Sequence, residues 1–154
     1  MRVLPCAVLL LAPVLIAAQG EKEKWQRVYT GEDSIIEMEL TKVTFGSASI
    51  GRVRFRTTFS KPQHLNEKPV VKYKSRLETI EFKCEMGSVR LGHYPANTTR
   101  YRLFEATLLD AKGKVVKSLD WDPSADWREL RFGSMMEKLS VPACKLIDEK
   151  RRNP

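Results

Sequence analysis

Two cysteines late in the chain, Cys84 and Cys144, have the clearest capacity for chemistry. A cysteine can act as a nucleophile, bind a metal or close a disulfide, and each role needs a different setting. His93 could join the two cysteines in a zinc site. Structural zinc sites usually contain two cysteines separated by only two to four residues, however, and this chain has no such pair. We therefore expect no metal at these residues.

Other catalytic patterns do not occur in the sequence either. The two histidines, His64 and His93, do not belong to the H-E-x-x-H pattern of zinc proteases. No G-x-S-x-G elbow, phosphate-binding loop or dinucleotide fingerprint is found. Asp120 and Asp122 could form a carboxylate pair, but acidic residues beside Pro123 are also typical of turns. The sequence predicts a protein that is not an enzyme and has no cofactor.

Residues 1–20 have the pattern of a secretory signal peptide. Arg2 is followed by 16 almost wholly apolar residues and then by the small residues of a cleavage site at Gly20. That run is shorter than the roughly 18 residues expected of a membrane span. Cys6 lies near the start of the run, whereas a lipid-anchored cysteine would follow it. We expect an exported protein, periplasmic, on the cell surface or secreted, without stable membrane insertion after cleavage.

The expected mature chain is moderately basic and of a size that suits one domain. Cleavage after Gly20 leaves 134 of the 154 residues and removes one of the 27 basic residues and none of the 19 acidic ones, so the net charge becomes +7. A chain of this length can bury a real core. The positive charge favours polyanionic partners, or serves solubility alone.

Cleavage would leave only Cys84 and Cys144, and two cysteines in an exported protein most often pair. The stretch "RFGSMMEKLSVPACK" (residues 131–145) places the second of them just after a predicted helix. Ser134 and Glu137 form the capping-box pattern that begins a helix, and Pro142 is predicted to end it. We expect a disulfide that joins the end of this helix to the strand carrying Cys84.

Alternating apolar and polar residues predict short strands along most of the chain. The strand segments start at Trp25 and continue at residues 34–45, 50–59, 70–86, 88–94, 100–110, 115–121 and 127–132, with a polar loop at Ser60 to Pro69. Gly113 marks a hairpin turn between two of them. The pattern predicts an α+β, mainly β fold: one antiparallel meandering sheet of about six strands, packed by a short C-terminal helix, with one disulfide. Residues 148–154 are expected to form a charged, disordered tail.

Two strand segments carry basic residues at alternate positions. The candidate binding residues are Arg52, Arg54 and Arg56 on one strand, and Lys72, Lys74 and Arg76 on another. If the strands are neighbours, the six residues could form a basic plate for glycosaminoglycan, lipopolysaccharide phosphate or an acidic protein. The alternative is a solvated outer face of a one-sided sheet. Export and the weak interleaving of aromatic residues argue against nucleic acid.

The order of several short motifs resembles the surface-adhesin protein E family of Gram-negative bacteria. The motifs are "DSI" (33–35), "GRVRF" (51–55), "YKS" (73–75), "IEFKC" (80–84), "LLDAKGKVVKS" (108–118), Trp127, "GS" (133–134), Glu137 and Cys144. The resemblance covers most of residues 21–147 and is poor over 57–69. Phe132 stands where the family often has a proline.

This resemblance implies a small antiparallel sheet, a packed C-terminal helix and a bond between Cys84 and Cys144. It also implies an adhesin-like virulence protein of the cell outer membrane that binds host matrix proteins, although fold alone does not carry function. The alternative interpretation is a periplasmic inhibitor or envelope-maintenance protein, with Ser60 to Pro69 as the inhibitory element. The sequence does not indicate an oligomeric state.

Overall fold

The structure is a computed structural model and describes residues 22–46, 50–84, 99–120 and 126–153. Within these ranges the chain forms eight strands and one helix. The elements are β1 (Trp25–Thr30), β2 (Ser34–Glu39), β3 (Thr44–Phe45), β4 (Ile50–Leu65), β5 (Val71–Lys83), β6 (Arg100–Leu109), β7 (Val115–Asp120), β8 (Arg128–Glu129) and α1 (Met135–Arg152).

The strands form one open antiparallel sheet in the order β1-β2-β4-β5-β6-β7, with β3 paired to β4 and β8 paired to β6. Neighbours in space are mostly neighbours in sequence, as short connections favour. The predicted hairpin joins β6 to β7, and Gly113 takes a positive φ of 79° at its turn. The predicted fold class is therefore confirmed.

Helix α1 covers one face of the sheet, which we call the inner face, and the two form the core. Val53, Phe55 and Phe82 of the sheet and Ala143 and Ile147 of the helix are almost completely buried there. The opposite face, which no helix of the described chain covers, is called the outer face. It carries the side chains that alternate with the core residues along β4 and β5.

Helix α1 begins as the sequence predicts but ends later. The Ser134 hydroxyl accepts a hydrogen bond from the amide of Glu137, so the N-cap is confirmed. The prediction that Pro142 ends the helix is wrong, because the helix continues to Arg152. An internal proline removes one backbone hydrogen bond, and the burial of four apolar residues beyond it offsets that loss. Those residues are Ala143, Cys144, Leu146 and Ile147.

Three other predictions change with the structure. The predicted disordered tail, residues 148–154, is helical as far as Arg152, and Asp148 is buried. The predicted loop at Ser60 to Pro69 is wrong over its first half, since β4 runs to Leu65. The segment 127–132 contributes only the two-residue strand β8. The predicted signal peptide at 1–20, Cys6, His93 and the predicted strand at 88–94 lie outside the described residues.

Candidate binding surface

The six basic residues singled out in the sequence do not form one plate. Their strands, β4 and β5, are neighbours, but Arg76 stands directly opposite Thr57, whose side chain is buried on the inner face. Strand alternation puts Lys72 and Lys74 on the same side as Arg76. Arg52, Arg54 and Arg56 alternate with the core residues of β4 and therefore belong to the outer face. The hypothesis of a single six-residue plate is wrong for this reason.

On the outer face, Glu81 holds two arginines from neighbouring strands. Its carboxylate accepts hydrogen bonds from Nε of Arg52 at 2.7 Å and from Nε of Arg102. Only 1% of the Glu81 side chain is exposed. Burial by itself raises the pKa of Glu81, but the hydrogen bonds and charges of Arg102 and Arg52 outweigh it and hold the pKa below its ordinary value.

The other two outer-face arginines are paired as well. Arg56 donates from Nε and Nη2 to one oxygen of Glu37, at 3.0 and 2.8 Å. Nε of Arg54 lies 3.4 Å from the fully buried carboxylate of Glu39. Both guanidinium groups also lie over the ring of Trp25, at 5.5 Å for Arg54 and 4.5 Å for Arg56. Each of these side chains is thus held by both charge and stacking.

These contacts make the outer face a layer of arginines lying across carboxylates and aromatic rings. The guanidinium of Arg52, for example, lies 4.0 Å from the centre of the Phe104 ring. An external anion would have to compete with internal carboxylates for each of the three arginines, at a cost in lost ion pairs. The structure therefore gives the arginine triad an internal, stabilising role on the sheet.

Arg76 is also occupied, on the inner face. Its Nε lies 3.0 Å from a carboxylate oxygen of Glu78. Burial raises the pKa of Glu78, and the charge of Arg76 offsets this only in part. Of the six predicted residues, Lys72 and Lys74 alone have no carboxylate partner in the part of the chain that the structure describes.

Lys72 and Lys74 belong to a hairpin that we call the arm, residues 59–74. The ladder with β2 ends at Phe59 and the ladder with β6 ends at Ser75, so beyond these points β4 and β5 pair only with each other. Residues 59–62 stand opposite Lys74 alone, in a wide bulge. Pro62 is tolerated there, because a residue in the bulge does not have to donate a backbone hydrogen bond to the neighbouring strand, and proline has no N–H to donate.

The arm is anchored at both its base and its tip. At the base, the amide of Ser60 donates to the carbonyl of Asp33 at 2.8 Å, and the Lys74 ammonium donates to the carbonyl of Ser60. At the tip, Glu67 forms an ion pair with Lys117 of β7. The arm is thus held in a defined position against the sheet.

The arm carries four lysines and one glutamate in sixteen residues. Lys61, Lys68 and Lys72 are exposed, and no carboxylate of the described chain lies within ion-pair distance of their amines. The one acidic residue, Glu67, is already paired with Lys117 outside the arm. The arm therefore presents uncompensated positive charge, which the arginine-rich outer face does not.

A groove of about 390 Å³ lies between the base of the arm and the turn that joins β1 to β2. Its walls include Ser34 and Ile35 of β2, Thr58 and Phe59 of β4, and Lys74 of β5. All five side chains are half-buried. The groove combines apolar residues with a lysine whose ammonium donates to the carbonyl of Ser60.

A second groove, of about 470 Å³, lies between β5, β6 and the first turn of α1. Ile80, Leu103 and Met136 line it, together with Asp126 and Arg128, which have opposite charges. Glu78 also lines it, but that carboxylate is paired with Arg76. This groove therefore shows no net preference for either sign of charge.

Cys84 and Cys144 form a disulfide, as predicted, and both are buried. The prediction that the bond joins the end of the helix is wrong, because Cys144 lies within α1, which continues to Arg152. Neither sulfur is available as a nucleophile or as a metal ligand while the bond is intact. Across the described ranges, no cluster of three or more histidine, cysteine, aspartate or glutamate residues is arranged to hold a metal ion. In the same ranges, no helix is long and apolar enough to cross a membrane.

Comparison with known proteins supplies no relative: no protein-family model, no curated protein and no solved structure matches the chain. The resemblance to the surface-adhesin protein E family stays a prediction. The arguments about function below rest on the chain's own charges and contacts.

The sequence contained a signal that separates the two basic triads. In β5, positions 72, 74 and 76 continue with the same parity to Ile80, Phe82 and Cys84, which were expected to point inward. The arm itself was missed, because two prolines and several polar residues between 60 and 69 are typical of a loop. A further signal indicated that the arginines of β4 would be paired. The neighbouring strands β2 and β5 carry carboxylates at positions that can face them: Glu37, Glu39 and Glu81.

Proposed function

We propose that the protein is an exported binding domain that docks an acidic partner protein through the lysines of the arm, and that it acts by adhesion rather than by catalysis. The observation that carries this proposal is the uncompensated charge of the arm. The arm carries three exposed amines, and no carboxylate of the described chain lies within ion-pair distance of them: Lys61, Lys68 and Lys72. The two strands of the arm pair only with each other.

Charge complementarity between surfaces speeds association and selects partners. Lysines suit this role at an exposed site, because their ammonium groups are mobile point charges that can donate to carboxylates in many geometries. The arginines of the outer face are less suited to the role. Arg52, Arg54 and Arg56 are already within ion-pair distance of the carboxylates Glu81, Glu39 and Glu37.

An adhesin and a periplasmic inhibitor would use the arm in different ways. An adhesin that recognises acidic surfaces relies on charge, so its binding weakens as salt screens the lysines. An inhibitor that inserts the hairpin into an enzyme relies on shape and loses much less affinity in salt. The anchored position of the arm, fixed through Glu67 and Lys117, is the observation that keeps the inhibitor as the second candidate.

The test compares two triple variants with the same change in net charge. The arm variant is Lys61→Glu, Lys68→Glu and Lys72→Glu. The control variant is Lys24→Glu, Lys42→Glu and Lys83→Glu, three exposed lysines at the other end of the sheet. Binding to poly-L-glutamate is measured by calorimetry at low and high salt, with heparin as a second, polysaccharide probe.

We expect the arm variant to lose affinity for poly-L-glutamate by about tenfold or more, and the control variant to lose much less. Wild-type binding should fall steeply with added salt. Equal losses in the two variants would show that only net charge matters, and the arm would not be the docking element. Binding of heparin but not of poly-L-glutamate would replace the protein partner with a polysaccharide.

A further inference from the structure

We propose that the groove at the base of the arm, between β4 and the β1–β2 turn, receives an apolar side chain that lies next to an acidic residue in the partner protein. This inference rests on the proposed function and specifies the chemistry of the partner. The occupant would be a side chain such as tyrosine, leucine or phenylalanine, with its carboxylate neighbour at Lys74.

The shape of the groove supports an apolar occupant. Ile35 of β2 and Phe59 of β4 contribute half-buried apolar surface to it. Its volume of about 390 Å³ is enough for one large side chain and lies within the range of natural ligand sites. Phe59 is held in place by an edge-to-face contact with Tyr73, at 5.8 Å between ring centres. A packed aromatic wall of this kind provides a preformed surface rather than one that must be ordered on binding.

The charges around the groove indicate which kind of partner residue should lie next to the bound apolar side chain. Lys74 lines the groove, and its ammonium donates to the carbonyl of Ser60, which also lines it. Lys72 is exposed on the same strand. Glu32 also lines the groove, from the β1–β2 turn, and is exposed. An acidic residue of the partner is therefore drawn to the side of β5 and repelled from the side of the turn, which orients the bound segment.

Two soluble polymers separate this inference from the proposed function. Poly-L-glutamate presents carboxylates alone, whereas a random copolymer of glutamate and tyrosine presents carboxylates with apolar neighbours. Wild-type protein should bind the copolymer about tenfold more tightly, because one buried aromatic side chain contributes that much on transfer from water. If the protein binds neither polymer, the proposed function and this inference both fail. If it binds both equally, only the inference fails.

Filling the groove tests its location. Thr58→Trp places an indole in the groove from β4, and Ser34→Trp does so from β2. Either variant should abolish the preference for the copolymer and keep the affinity for poly-L-glutamate within about threefold of wild type. The second variant keeps the test decisive if the first fails to fold.

The matched control is Thr44→Trp, an exposed strand threonine on β3 at the other end of the sheet. This variant should keep the full preference for the copolymer. A preference that survives in both groove-filling variants, or that is lost equally in the control, would overturn the assignment of this groove.

Discussion

Gly51 of β4 and Ile147 of α1 are in such close contact that a β-carbon on Gly51 would stand 2.5 Å from Cγ1 of Ile147. The isoleucine is completely buried, so its side chain has no free space into which it could move. This contact sets how closely the helix approaches the sheet. Ile147 lies five residues beyond Pro142, which explains why the helix must continue past the proline.

We predict that Gly51→Ala destabilises the protein by about 1–3 kcal/mol, since an added methyl group overpacks the helix–sheet contact. Chemical denaturation monitored by circular dichroism measures this change. The double variant Gly51→Ala with Ile147→Ala should lose less than the sum of the two single effects, because alanine lacks Cγ1, Cγ2 and Cδ1, the three atoms that crowd the new methyl group. A simple sum of the two single effects in the double variant would contradict this explanation.

Glu81 should stabilise the fold at neutral pH through its two arginines. Its pKa is lowered in the folded state, so its contribution is present above the ordinary pKa of glutamate and is lost as the pH falls through the folded value. Glu81→Gln should cost about 3 kcal/mol near pH 7, because it removes the buried negative charge that pairs with Arg52 and Arg102. The difference from wild type should shrink in acid, as measured by thermal melts across pH.

Glu78 should show the opposite behaviour on the other face of the same strand. Burial raises its pKa in the folded state, so the ionised carboxylate opposes folding at neutral pH and this cost fades as the pH falls through the raised value. Glu78→Gln should therefore leave stability unchanged or raise it near pH 7. A destabilisation as large as that of Glu81→Gln would mean that the ion pair with Arg76 outweighs burial.

The fold class could be predicted because alternation within each strand is a local property. Ile80, Phe82 and Cys84 predict an inward face of β5, and that face is observed. What alternation in one strand cannot supply is the register between strands. Whether the arginines of β4 meet lysines or glutamates depends on that register, which sets Arg52 opposite Glu81.

The site could be predicted less well for a related reason. The sequence indicates where β4 can bulge, at Pro62, but not that pairing resumes beyond the bulge at Gln63 and Tyr73. The resumed pairing depends on contacts between residues that are distant in sequence. Phe59 packs against Tyr73, and Glu67 forms an ion pair with Lys117. The end of α1 differs from the local expectation for the same kind of reason, because tertiary burial outweighs the effect of Pro142.

The N-cap of α1 provides a direct test of local sequence rules. Ser134 accepts a hydrogen bond from the Glu137 amide, and Glu137 in turn accepts one from the amide of Gly133 at 2.5 Å. Ser134→Ala should cost about 1 kcal/mol of stability, whereas Ser134→Asp should retain the cap. Thermal denaturation of the three proteins under identical conditions measures both effects. An equal loss in both variants would show that the hydroxyl does more than cap the helix.

The disulfide should be the largest single contributor to stability that a reagent can remove. Cys84 and Cys144 are 60 residues apart, and closing a loop of this size stabilises a fold by about 4 kcal/mol in the loop-entropy model. Cys84→Ser should therefore lower the melting temperature strongly. The double variant Cys84→Ser with Cys144→Ser should melt close to the single one, and a reducing agent should destabilise wild type but not the double variant. If reduction leaves the wild-type melting temperature unchanged, the bond contributes little, and the packing of α1 at Gly51 and Ile147 holds the helix to the sheet without it.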